Sequence, residues 1–172
     1  MKNIFISLIA FFVYLTVSGQ TENPSVFVMN LSEEAMESKT SLKKDEITID
    51  KKNYLTEENG LVILAYESIY PLEYIQTLEK EKLTNLLKEV NQEGFEKLNA
   101  LMGTFPEKPV EKSIKFKNAS ETIQTTATVN GMNFESTTLR SQNNFLQIIF
   151  IGDIKSKEAK DFMAQLEIIV VE

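Results

Sequence analysis

The chain has 172 residues, with 18 lysines and arginines against 25 aspartates and glutamates and a formal net charge of −7. It contains no histidine, cysteine or tryptophan, which excludes imidazole acid–base and triad chemistry, thiol nucleophiles, thiolate zinc sites and iron–sulfur clusters. The acidic balance and the single arginine, Arg140, argue against a nucleic-acid partner, because neutralising phosphates takes clustered basic side chains.

In chain order, Met1-Lys2-Asn3 gives a short basic start, Ile4 to Val17 an uncharged apolar run, and Val17-Ser18-Gly19 a set of small residues at its end. This pattern reads residues 1–19 as a secretory signal peptide cleaved before Gln20. The run is shorter than the roughly 18–20 residues a bilayer span requires. The sequence thus predicts an exported protein, periplasmic or extracellular, with no stable membrane insertion after cleavage. Residues 20–45 read as a polar leader with strand character at Val26 to Leu31. The polar stretch Glu33 to Lys44, anchored by Ala35, Met36 and Leu42, is expected as a short helix or a loop.

Residues 46–172 read as one domain. Ile47 and Ile49 alternate with polar neighbours, Asn59-Gly60 supplies a hairpin turn, and Leu61 to Tyr66 is apolar without interruption, as in a strand covered on both faces. Pro71 then opens a helix whose stripe is Leu72, Ile75, Leu83, Leu86, Leu87 and Val90. Gly94 interrupts that stripe; Phe95, Leu98, Leu101 and Met102 either continue it past a kink or form a separate short helix before Gly103 and Pro106.

From Pro109 the period changes to two. Runs at 110–117, 121–129, 132–140 and 145–151 predict an antiparallel meander, with Asn130-Gly131 as the strongest turn signal. Ile123, Ala127 and Phe134 are assigned to the core and Thr122, Thr126 and Thr128 to the other face. The run Phe145 to Ile151 is apolar on both faces and belongs inside the sheet. Ser156 is a good N-cap for a short helix carrying Ala159, Phe162, Met163 and Leu166. The β-branched tail Ile168 to Val171 reads as a final edge strand or a strap. The fold class is therefore α+β: a central antiparallel sheet with a long helix on one face and a short C-terminal helix.

The order of these elements, with Ile69-Tyr70-Pro71 leading into the helix and the segment from Asn144 to Gly152 followed by Lys160-Asp161-Phe162-Met163, resembles the PsbP-like family. The resemblance covers residues 46–172. It implies an α/β/α sandwich and a binding or assembly role rather than a shared reaction, and it carries over no catalytic motif.

Two groups of residues are candidates for a partner or ligand surface. Tyr54, Tyr66, Tyr70 and Tyr74 gather ahead of the helix and are suited to line a cleft, since tyrosine offers contact area with a polar tip. Thr126 and Thr128 belong to a threonine-rich hairpin that could present hydroxyls to a glycan or a protein. Core packing and the strand preference of threonine are the plainer readings of the same residues. The acidic pairs Glu33-Glu34, Asp45-Glu46 and Glu57-Glu58 lack the spacing of an EF-type loop and read as solvated surface. The sequence thus predicts no catalytic residue, no metal and no cofactor. It is expected to be an exported accessory or binding module for an envelope or secreted protein or a glycan. A carrier of an apolar small ligand, a carboxylate-based hydrolase and a calcium-binding protein are the alternatives.

Overall fold

A computed structural model describes residues 25–102, 109–129 and 131–169. The predicted signal peptide, the leader up to residue 24, the expected helix end at Gly103 and Pro106, and the tail beyond Ile169 lie outside the described residues. Within them the elements run β1 (Phe27–Val28), β2 (Met36–Lys44), β3 (Ile47–Glu58), β4 (Leu61–Ile69), α1 (Leu72–Gln76), α2 (Lys80–Met102), β5 (Val110–Ser113), β6 (Glu121–Val129), β7 (Met132–Ser141), β8 (Asn144–Ile151), α3 (Lys157–Gln165) and β9 (Glu167–Ile168).

Seven strands form one antiparallel sheet in the order β2-β3-β4-β8-β7-β6-β5, and β1 pairs with β9 in a separate two-stranded ribbon. The β3–β4 hairpin turns where the sequence places it. Asn59 and Gly60 both have positive φ, 50° and 82°, the paired left-handed geometry of a tight hairpin turn that Asn-Gly adopts at little cost. The two most apolar strands, β4 and β8, broken only by Glu67 and Ser68 in β4 and by Asn144 and Gln147 in β8, lie side by side in the interior of the sheet and are buried at every position.

Burial on both sides follows from what covers each face. On one face α2 packs Leu87, Val90, Phe95 and Leu98 against Leu55, Leu64, Phe134, Ile149 and Phe145. On the other, α3 and the β1–β9 ribbon set Phe27, Ala159, Phe162, Leu166 and Ile168 over Ile63, Ala65, Leu139, Leu146 and Phe150. Ser156 caps α3 through the Ala159 amide at 3.2 Å, and Phe162 meets Phe150 edge-on at 5.8 Å. Ile123, Ala127 and Phe134 face α2 as assigned, while Phe116 packs into the opposite core. Thr122, on the other face of β6, is also buried.

Two expectations need correction. Residues 36–44 are neither helix nor loop but the edge strand β2, paired with β3 along its whole length. Among the described residues no strand pairs with its outer edge, so apolar alternation is not required there, and Lys39, Lys43 and Lys44 occupy positions that an interior strand would fill with hydrophobes. The helix after Pro71 is also not continuous to Val90. It stops after α1, where the Thr77 and Leu78 amides bond three residues back and the Thr77 hydroxyl donates to the Tyr74 carbonyl at 2.7 Å. That local bond competes with helix propagation. Leu72, counted in the apolar stripe, is half exposed on α1. Beyond the break, α2 runs through Gly94 to Met102, so Phe95 and Leu98 continue the same helix.

Candidate functional site

The break between α1 and α2 opens a cleft of about 700 Å³ at one end of the sheet. Its wall on the sheet side is the β2–β3 turn, Lys44, Asp45, Glu46 and Ile47; the opposite wall is Tyr74, Leu78, Lys82, Asn85, Leu86 and Glu89; Tyr70 lies between them. Asp45 holds the turn with φ 55°, a left-handed conformation that Asp tolerates better than most residues. Ile47, Leu78 and Leu86 give the cleft an apolar interior, and Lys44, Asp45, Glu46, Lys82 and Glu89 supply charge of both signs.

Tyr70 is fixed from several directions. Its amide donates to the Asn143 carbonyl at 3.0 Å, and its own carbonyl accepts from the Asn143 side-chain amide. Its ring meets Phe145 edge-on at 5.2 Å and stacks with Tyr74 at 6.2 Å and 20°. Burial pushes the Tyr70 phenol well above its ordinary pKa, and the nearby carboxylates of Glu93 and Glu89 push it further. The hydroxyl therefore remains protonated across the physiological range.

The other sequence candidates lie elsewhere. Tyr66 faces α2 from β4, with the Lys97 ammonium 4.6 Å from its ring centroid. Lys97 and Lys51 both pair with Glu93. Burial acts to raise the Glu93 carboxyl, but Lys97 and Lys51 outweigh it and hold the group below its ordinary value. Tyr54 points to the opposite face and packs with the core under α3. Thr126 and Thr128 are on β6, with β4, β8 and β7 between them and Tyr54 on β3; the Thr128 hydroxyl bonds Asn133 at 3.2 Å. The structure thus brings together only Tyr70 and Tyr74 of the six candidates. It adds Asn85, Lys82, Glu89 and the acidic pair Asp45-Glu46, which sequence spacing does not connect because they come from two segments some forty residues apart.

Beneath α2 lies a buried polar layer that the apolar periodicity does not register. The Asn91 side chain donates to Thr125 at 3.0 Å and accepts from Thr138 at 2.8 Å. Gln147 donates to the Asn91 carbonyl at 2.8 Å and to Ser136 at 2.9 Å. The space lined by Val90, Gly94, Gln147 and Tyr66 is about 10 Å³, too small for more than a single water.

Among the described residues no group of three or more acidic side chains is placed to hold a metal ion, and no helix is long and apolar enough to cross a membrane. The chain matches no protein-family model, no curated protein and no solved structure.

Proposed function

We propose that this chain is an exported, non-enzymatic binding module of the PsbP-like type, and that the cleft between the β2–β3 turn and α1–α2 receives its partner. The observation that carries the reading is the stacked Tyr70–Tyr74 pair set in a cleft of about 700 Å³ with charges of both signs around it. Aromatic area on a rigid floor, with polar groups to fix orientation, suits a protein segment or a glycan of the envelope. The absence of histidine and cysteine from the sequence supports binding over catalysis. The order of a long helix, a meander and a short C-terminal helix supports the family assignment. The space beneath Val90 is nearly filled, which counts against an apolar carrier that holds its ligand there between helix and sheet.

The test is site-specific photocrosslinking in cells of the source organism, with benzoylphenylalanine in place of Lys82 in the cleft or in place of Val110 on the distant strand β5. A discrete adduct from position 82, lost when Tyr74→Ala is added and absent from position 110, is the expected result. Identical adduct patterns from the two positions, or none from position 82 in folded protein, would remove the cleft as the binding site.

A further inference from the structure

On the sheet face opposite the cleft, β4 buries a carboxyl group. Leu61, Ile63 and Ala65 point from β4 into the core under α3, and the next residue in that alternation is Glu67, 1% exposed. Its Oε1 lies 2.6 Å from the Ser25 hydroxyl, and its Oε2 is buried with no hydrogen-bond partner among the described residues. Ser25 opens the segment that continues into β1, where Val26 and Phe27 are buried and the Ile169 amide donates to the Val26 carbonyl at 2.8 Å.

The Ser25 hydroxyl has one proton and two claims on it. It lies 3.1 Å from the Phe27 carbonyl as well as 2.6 Å from Glu67, and it accepts the Phe27 amide at 3.0 Å. If Glu67 is ionised, Ser25 gives its proton to the carboxylate, the Phe27 carbonyl loses its donor, and Oε2 shares a buried charge with no hydrogen-bond donor to it among the described residues. If Glu67 is protonated, one consistent chain forms: Glu67 donates to Ser25, Ser25 donates to the Phe27 carbonyl, and the Phe27 amide donates back to Ser25. The neutral arrangement satisfies every donor, and the carbonyl oxygen left over is far cheaper to bury than a carboxylate.

The groups that face Glu67 decide how firmly this holds. Lys52 is directly across on β3 and is partly exposed; it favours the charged form. Tyr54 and Asp50 follow on the same face of β3, and on β2 Lys39 stands opposite Lys52 with Glu37 beside it. From β8 the residue opposite Glu67 is Leu146, which offers no charge. Burial raises the Glu67 pKa, and Ser25 and Lys52 reduce that rise without cancelling it.

We propose that protonated Glu67 is a latch that holds residues 25–28, and with them the β1–β9 ribbon, against the sheet, and that loss of its proton releases this strap. The strap covers Ala65, Leu146 and their neighbours, so release uncovers an apolar face on the side of the sheet away from the cleft.

Hydrogen exchange on the full chain tests the latch through two amides, Phe27, which bonds Ser25, and Ile169, which bonds Val26. After correction for intrinsic exchange, their protection is expected to fall roughly tenfold or more between about pH 5 and about pH 8, while amides of β8 hold steady. In Glu67→Gln, which carries a permanent donor, the same amides should show no such fall. Flat protection in the unaltered protein, or an equal fall in Glu67→Gln, overturns the proposal. Should Glu67→Gln fail to fold, the Glu67 carboxyl carbon shift in the unaltered protein decides. A midpoint well above about 4.3 that coincides with the loss of protection supports the latch, and a midpoint at that ordinary value overturns it.

Discussion

Gln147 is the one amide side chain in an otherwise apolar run from Phe145 to Ile151, and Gly94 is present because of it. A Cβ at position 94 would come within 1.7 Å of the Gln147 side-chain oxygen. Gln147 cannot swing aside cheaply, since it donates to Asn91 and Ser136 in a buried layer. Gly94→Ala is therefore expected to destabilise the fold by roughly 1–3 kcal/mol: orphaned buried groups cost more than the ~1 kcal/mol that alanine contributes to a helix. In a Gln147→Ala background the same substitution should become neutral or stabilising, and urea unfolding of the four variants reads the cycle directly. A penalty unchanged in that background would assign the glycine to something other than Gln147. Apolar periodicity reads Gly94 as an interruption because it counts hydrophobes. The informative signal was polar: Asn91 lies one turn before Gly94 on the same helix, and the solitary Gln147 is in the strand it faces.

Among the elements, those that bury a face were legible in the sequence and those at an edge were not. β4, β8 and the β6–β7 hairpin follow from continuous or alternating apolar residues and turn chemistry, and α3 from its cap and i, i+3, i+4 spacing. β2 was not legible, because an edge strand open on one side carries no consistent pattern, and its lysines read equally well as helix surface. Those lysines have an expected role at this scale. Lys39 and Lys43 discourage a second chain from pairing with the open edge. Replacing both with valine is expected to leave the unfolding midpoint nearly unchanged while light scattering reports concentration-dependent association; a monodisperse double variant would show that the edge is protected some other way. The α1–α2 break was equally hidden, since it depends on a threonine hydroxyl competing for a carbonyl. The candidate site was correspondingly half legible: the tyrosines could be named, but the cleft exists only because the helix stops there.

At the scale of the whole molecule, two carboxyls on opposite faces of the sheet give stability opposite dependences on pH. Glu93 is held below its ordinary pKa by Lys97 and Lys51 against the effect of burial, so its contribution is present above the unfolded value and is lost as pH falls through the folded one. Its side chain is 43% exposed, which keeps that contribution under about 1 kcal/mol. Glu67 is raised by burial, so its contribution is complete below the unfolded value and is lost as pH rises through the folded one. The stability advantage of Glu67→Gln over the unaltered chain should accordingly grow as pH is raised from about 4 to about 8. The advantage of the unaltered chain over Glu93→Gln should shrink as pH is lowered over the acid range. Urea midpoints across pH check both slopes, and a reversal of either sign would mean the carboxyl's environment is not the one described. The class of fold was legible at this scale, whereas the two charged environments were not, because each is assembled from strands and helices far apart in the chain. The pairing of Phe27 with Ile168 sets an order of events during synthesis. The sheet and α2 are complete once residue 151 has left the ribosome, but Phe27, made early, has no strand to join until Ile168 follows. The layer formed by α3 and the ribbon therefore closes last, and a nascent chain held short of residue 168 displays the apolar face beneath it to whatever chaperone is at hand.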